Sequence, residues 1–121
     1  MSNEPLLNVR RVNSISVVEF GDRCKLIEDA ILEPIGSELL QAARTAQSPR
    51  LILDLSRTTF FGSGFLEVLL RTWKELQQRP DARMVLCGVQ TYCREVLEIT
   101  HLDQLWPLID NCEAAVKQLQ A

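Results

Sequence analysis

The chain has 121 residues, of which 46% are hydrophobic and 24% charged, and its formal net charge is −3. We therefore expect one globular domain over residues 1–121, with a sizeable core. The negative charge argues against a nucleic-acid surface, which needs clustered basic residues. No stretch approaches the roughly 20 apolar residues of a membrane span, and no signal peptide is evident, which predicts a cytoplasmic protein.

The cysteines and the histidine give no pattern typical of metal binding. No Cys-x-x-Cys pair occurs among Cys24, Cys87, Cys93 and Cys112, and His101 is the only histidine. We therefore expect no metal and no cofactor. Cys87 lies in an apolar run, where a free thiol behaves as a small buried hydrophobic side chain.

The first half of the chain predicts a hairpin and a helix. Leu6 to Val12 and Ile15 to Phe20 are typical of two strands joined by a turn at Asn13-Ser14. Pro34 suits the first turn of a helix, and this helix should end near Ala46.

The next segment predicts a strand at Leu51 to Leu55 and a helix that begins at Ser63. The strand is an apolar run that ends in polar residues. In the helix, apolar residues recur at i, i+3 and i+4 spacing: Leu66, Leu69, Leu70, Trp73 and Leu76.

The last third predicts two more strand–helix pairs. Met84 to Val89 is a strand followed by a helix from near Thr91, and Leu105 to Ile109 is a short edge segment, since Pro107 cannot donate to a ladder. A final helix begins near Asn111, with Asp110 and Glu113 in capping-box spacing.

The resulting order, β-β-α-β-α-β-α-β-α, predicts an α/β fold. Its sheet should be mixed and mostly parallel, with an N-terminal antiparallel hairpin and about four helices. Function in such sheets usually lies where strand C-termini meet helix N-termini, which is where Ser63 falls. A phosphate on Ser63 would be stabilised by the helix N-terminus, but Ser63 between two glycines also suits simple helix capping.

At these residues the sequence resembles a known family. The element order, with Asp54-Leu55-Ser56, Phe60-Phe61-Gly62-Ser63-Gly64 and the helix carrying Arg71, resembles the STAS domain of anti-sigma-factor antagonists. In that family the loop carries Asp-Ser-Ser-Gly or Asp-Ser-Thr-Gly, and a partner anti-sigma kinase phosphorylates the second hydroxyl residue.

The resemblance also assigns positions. Aligning the motif glycine with Gly64 places Ser63 on the phosphoacceptor, Phe61 on the aspartate and Gly62 on the first serine. Asp29 is the residue that we map onto the family's aspartate before the first helix.

The resemblance implies a binding module that docks an anti-sigma factor or regulatory serine kinase in a partner-switching pathway. Phosphorylation of Ser63 would then add about −1.5 to −2 charges and weaken binding. The alternative is a scaffold that is not phosphorylated, with Phe61 as an exposed apolar anchor and Phe60 buried. Self-association remains open.

We expect the partner surface to centre on the loop Thr59 to Gly64 and on the charged face of the next helix, including Glu67 and Arg71.

A serine hydrolase is the third alternative, but Phe61 and Phe65 stand where a nucleophile elbow needs small residues. We therefore expect no enzymatic activity. Asp54 should order its own loop.

Overall fold

The computed structural model describes residues 5–120 and has the predicted α/β architecture. Its strands are β1 (Leu7–Val12), β2 (Ile15–Phe20), β3 (Leu26–Ile27), β4 (Arg50–Asp54), β5 (Phe60–Phe61), β6 (Arg83–Cys87) and β7 (Leu108–Ile109). Its helices are α1 (Asp29–Thr45), α2 (Ser63–Leu76), α3 (Thr91–Ile99) and α4 (Cys112–Gln120). None of the helices within this part of the chain is both long and apolar enough to cross a membrane.

The main sheet is mixed, with strand order β1-β2-β4-β6-β7. β1 and β2 form the predicted antiparallel hairpin, whose turn holds Asn13 at a φ of 58°. The strand pairs β2–β4, β4–β6 and β6–β7 are parallel. β4 therefore has a neighbouring strand on each side and is not an edge strand. The loop after β4 therefore leaves from the middle of the sheet.

A second, two-stranded sheet was not predicted. It pairs β3 with β5 in parallel, with Leu26 beside Phe60 and Ile27 beside Phe61. Each strand has two residues, too few to show a periodic pattern, so tertiary contacts rather than sequence alternation define them. This small sheet connects the start of α1 to the start of α2.

Helix α1 begins at Asp29, so the prediction of a start near Pro34 was wrong. Pro34 lies inside the helix and removes one backbone hydrogen bond, to the carbonyl of Ala30. Ala30 is exposed, so water can satisfy this carbonyl. The burial of Ile35 and Leu39 stabilises the helix against the sheet. The negative charge of Asp29 in the first turn also interacts favourably with the helix dipole.

The other helix starts are confirmed, because α2, α3 and α4 begin at Ser63, Thr91 and Cys112. The cap of α4 differs in detail from the prediction. The side chain of Asn111 accepts a hydrogen bond from the N–H of Ala114 at 2.8 Å. Asn111, rather than the Asp110–Glu113 pair, therefore caps this helix.

The sheet separates two hydrophobic clusters. The larger cluster packs α1, α2 and α3 on one face, where Leu53 and Leu55 point. The smaller one packs α4 on the opposite face, where Ile52 and Val85 point. The start of α2 therefore lies on the α1 side of the sheet, away from α4.

Candidate partner-binding site

The loop between β4 and α2 is held by backbone carbonyls of the segment around β3. The carbonyl of Lys25 accepts hydrogen bonds from the N–H groups of Thr59, at 2.8 Å, and Phe60, at 3.4 Å. Further along, the N–H of Gly62 donates to the carbonyl of Ile27 at 3.2 Å. The main chain therefore fixes the path of the loop up to the start of α2.

The two threonine hydroxyls of this loop are already bonded. Thr58 is fully buried, and its hydroxyl donates to the carbonyl of Cys24 at 2.8 Å. The hydroxyl of Thr59 donates to the carbonyl of Lys25 at 3.2 Å. Both hydroxyls therefore stabilise the loop.

Ser63 differs from both threonines. It is exposed at the first position of α2, and its hydroxyl forms no hydrogen bond with another residue in the range 5–120. The N-cap is Gly62, which has no side chain to offer, and the first turn of α2 holds no acidic residue. The capping interpretation of Ser63 was therefore wrong, and this helix N-terminus has no anionic or hydroxyl cap.

Phe61 is buried, which contradicts the interpretation of it as an exposed anchor. Its exposed fraction is 1%, and its ring centroid lies 5.1 Å from that of Phe65. Phe65 in turn meets Phe20 edge-on at 5.8 Å. Neighbouring residues of a strand point in opposite directions, so burial of Phe61 turns Phe60 outward.

Phe60 was expected to be buried but is only partly so. Its ring stacks on Tyr92 at a centroid distance of 5.5 Å, and it is paired with Leu26 across the small sheet. Tyr92 is 48% exposed and Leu26 is 51% exposed. These three side chains form an apolar patch (Leu26, Phe60 and Tyr92) that sequence reasoning missed, because the two-residue strands gave no signal.

The N-termini of α1 and α2 meet at Gly64. A Cβ built on Gly64 would lie 2.5 Å from Cδ1 of Leu32 and 3.8 Å from a carboxylate oxygen of Asp29. Absence of a side chain thus allows the close approach of the two helices. The structure accordingly brings Asp29 next to the turn that carries Ser63.

A groove of about 420 Å³ continues from Gly64 along the two helices. Glu67 and Arg71 of α2 are exposed beside it, and Glu33 lines it from α1. The charged residues that we assigned to a partner surface therefore share one face with Ser63 and Asp29.

Side chains from β4 and from α3 and the residue before it contact the backbone of the loop between β4 and α2. A carboxylate oxygen of Asp54 accepts from the N–H of Ser56 at 3.0 Å, so Asp54 orders its own loop as predicted. The side chain of Gln90 donates to the carbonyl of Ser56 at 2.7 Å. The thiol of Cys93 lies 3.9 Å from the carbonyl of Thr58, and burial raises the pKa of this thiol to about 11, which keeps it neutral.

Comparison with known proteins identifies the family. A family model for the STAS domain matches residues 27–115. The chain belongs to the STAS domain family. It is 33% identical over 89 residues to BtrV of Bordetella bronchiseptica, whose name describes an anti-sigma factor antagonist, and the match spans 70% of this chain and 76% of BtrV.

Solved structures of STAS proteins share the fold. The STAS domain protein of Planctomyces limnophilus, described as an anti-sigma-factor antagonist, superimposes with a TM-score of 0.88 at 33% identity over 95% of this chain and 98% of its own. The Bacillus cell fate determinant SpoIIAA, solved in its phosphorylated form, gives a TM-score of 0.69 at 20% identity over 93% and 98% of the two chains. At that identity the likeness concerns the fold.

Proposed function

We propose that this STAS protein is an anti-sigma factor antagonist, a non-enzymatic regulator in the cytoplasm that binds an anti-sigma factor. The surface of contact is the loop from Thr59 to Gly64, together with Asp29, Glu67 and Arg71. The observation that carries the proposal is the exposed Ser63 hydroxyl at an uncapped helix N-terminus, in a chain 33% identical to a protein named as such an antagonist.

We further propose that a partner serine kinase phosphorylates Ser63. The hydroxyls of Thr58 and Thr59 hold the loop, whereas that of Ser63 has no structural role to lose. The uncapped N–H groups of α2 would stabilise a phosphate there. Burying the phosphate in a protein interface would cost desolvation free energy, and its charge would repel the nearby carboxylate of Asp29. Phosphorylation should therefore release the partner.

The test is affinity capture with the tagged full chain from extracts of its native host, with and without ATP, followed by intact-mass analysis of the recovered bait. We expect a protein with a serine kinase domain to bind without ATP, and phosphate on Ser63 to appear with ATP. Ser63→Ala should keep the partner in both conditions. Ser14→Ala, in the β1–β2 turn at the opposite end of the strands, is the matched control and should behave as the parent. Phosphate on either threonine, with Ser63 unmodified, would contradict the proposal.

The surface itself is tested by charge. Glu67→Lys and Arg71→Glu lie on the proposed contact, whereas Glu113→Lys lies on α4, on the opposite face of the sheet. We expect the first two changes to weaken capture at least tenfold, since like charges across an interface repel. Equal capture by all three variants would remove this surface from consideration.

The second candidate function is a scaffold that is not phosphorylated. The apolar patch favours it, because Phe60, Tyr92 and Leu26 offer an exposed aromatic and aliphatic anchor near Ser63. Under this function Tyr92→Ala should abolish capture while Ser63→Glu leaves it unchanged. Under the phosphorylation proposal Ser63→Glu should itself release the partner.

The hydrolase alternative has no such support. No residue in the range 5–120 hydrogen-bonds the Ser63 hydroxyl, so no base is in position to activate it.

A further inference from the structure

A row of polar side chains crosses the main sheet where its strands end. Strand pairing sets Asn8 beside Glu19, Glu19 beside Asp54, and Asp54 beside Cys87. Their neighbours two residues earlier on β2, β4 and β6 pack against α4. Since alternate strand residues share a face, the row lies on the α4 face of the sheet, opposite the face of Ser63.

Helix α4 adds a second thiol to this row. Cys112 is its first residue and is partly buried against the smaller hydrophobic cluster. The sulfur atoms of Cys87 and Cys112 and a carboxylate oxygen of Asp54 all lie within 4.8 Å of one another. Both cysteines are free, and Cys87 is fully buried.

A cationic side chain, that of Arg10, already lies against this cluster. The guanidinium of Arg10 lies with Nη2 3.2 Å from the sulfur of Cys112 and Nε 3.1 Å from a carboxylate oxygen of Glu19. Asn8 donates to the other oxygen of Glu19 at 2.9 Å. A positive charge therefore already lies beside the Cys112 sulfur, and an exposed side chain on the edge strand β1, which can swing towards solvent, carries it.

We propose that Asp54, Cys87 and Cys112 form a binding site for a thiophilic divalent cation of the zinc class, which displaces Arg10. Two thiolates and one carboxylate are a ligand set that Zn²⁺ accepts, with water in the fourth position. With Zn–S near 2.3 Å and Zn–O near 2.1 Å, tetrahedral ligand atoms lie roughly 3.6–3.8 Å apart, so no pair needs to close by more than about 1.2 Å. Binding releases the two thiol protons to solvent, and no electron transfer is involved.

The bound cation would join elements that now meet mainly through apolar contacts. Asp54 ends β4, Cys87 ends β6 and Cys112 begins α4. A metal on all three would fasten the C-terminal helix to the centre of the sheet. The site lies on the face opposite the proposed partner surface, so it stands or falls independently of the anti-sigma function.

Cobalt titration of the reduced full chain, monitored by absorption, tests the proposal. We expect one equivalent of Co²⁺ to produce thiolate-to-metal charge-transfer absorption, which Zn²⁺ abolishes by displacement. Cys112→Ser and Asp54→Asn should each weaken Co²⁺ binding at least tenfold. Cys93→Ser is the matched control, a buried thiol on the other face, and should leave the titration unchanged.

Arg10→Met provides a test in the opposite direction. Removal of the competing guanidinium should tighten Co²⁺ binding several-fold. Cys87→Ser changes a buried core residue, so far-ultraviolet circular dichroism should verify that each variant is folded. If Cys87→Ser unfolds, the test rests on Cys112→Ser, which lies at a partly exposed helix end. Absence of charge-transfer absorption in the parent, or an unchanged Co²⁺ affinity in Cys112→Ser, would overturn the proposal.

Discussion

The ring of Phe61, which we aligned with the motif aspartate of anti-sigma-factor antagonists, packs against the ring of Phe65 with their centroids 5.1 Å apart. Phe61 is 1% exposed, so the loop before α2 is anchored by apolar burial. Phe61→Asp should therefore destabilise the fold by about 3 kcal/mol or more, because it places an unpaired carboxylate in the core. Urea denaturation measures this loss.

The adjacent residue is the control for this change. Phe60 is only partly buried, and Phe60→Asp should cost no more than about 1 kcal/mol, mainly through loss of the Tyr92 contact. Equal losses for the two variants would mean that the burial of Phe61 does not anchor the loop.

Gly62→Ser should stabilise the protein. Gly62 has the extended backbone of an N-cap, with φ −88° and ψ 174°, and a Cβ there would meet no atom within 4 Å. A serine hydroxyl could accept from the first free N–H groups of α2, which is worth about 0.5–1 kcal/mol relative to alanine. Gly62→Ala supplies that reference, and a higher midpoint for alanine than for serine would be inconsistent with capping.

Ser63→Glu should raise stability while it weakens partner binding. The first turn of α2 contains no acidic residue, so a carboxylate there gains about 0.5 kcal/mol from the helix dipole, reduced by the nearby Asp29. Ser63→Gln has the same shape without the charge and should be neutral. The gain should shrink at high salt, and a thermal melt at two ionic strengths checks both statements.

Most of the main fold follows from the sequence because its signals are periodic. The amphipathic spacing from Leu66 to Leu76 and the apolar run around Ile52 are long enough to define element type and facing. The start of α1 was missed because Pro34 is a strong local signal for a first turn. The burial of Ile35 and Leu39 along a longer helix outweighs it.

The candidate site was less predictable, for a different reason. Whether Phe60 or Phe61 faces the core depends on the pairing of β5 with β3, a contact between segments about 34 residues apart along the chain. The spacing of the cysteines likewise predicted no metal site. Cys87 and Cys112 meet Asp54 only through the strand register and the packing of α4, which no local pattern encodes.

Gly88→Ala should disturb the loop after β4, because Gly88 lies against Ser56 of that loop. Gly88 has a φ of +68°, and a Cβ there would lie 2.8 Å from Cβ and 3.1 Å from Cα of Ser56. Backbone strain and this clash together should cost about 2 kcal/mol or more. Gly21→Ala is the control, since its Cβ would lie at an ordinary 3.5 Å from the carbonyl of Leu6. A loss below about 0.5 kcal/mol for Gly88→Ala, which is the usual range for surface substitutions, would contradict the assigned backbone conformation.

Stability should fall in alkaline solution through the buried thiols. Burial raises the pKa of Cys93 to about 11, against about 8.5 for an unfolded thiol. The thiol therefore loses its proton at lower pH in the unfolded state than in the folded state. Below about pH 8.5 the free energy of unfolding is unaffected; between there and pH 11 it declines by up to about 1.4 kcal/mol per pH unit. Urea denaturation between neutral pH and pH about 10 measures the decline, and Cys93→Ala should make it shallower.

The carbonyl of Lys25 receives two N–H groups of the loop, and that of Ile27 receives a third. Every residue except proline carries such an N–H group, so these three backbone hydrogen bonds do not depend on which side chains the loop exposes. Exposed positions such as Ser63, Glu67 and Arg71 can then be exchanged without reshaping the scaffold. Within one genome, duplicated copies of such a domain could diverge to recognise separate partners by surface substitution alone, and so keep parallel signalling circuits insulated from one another.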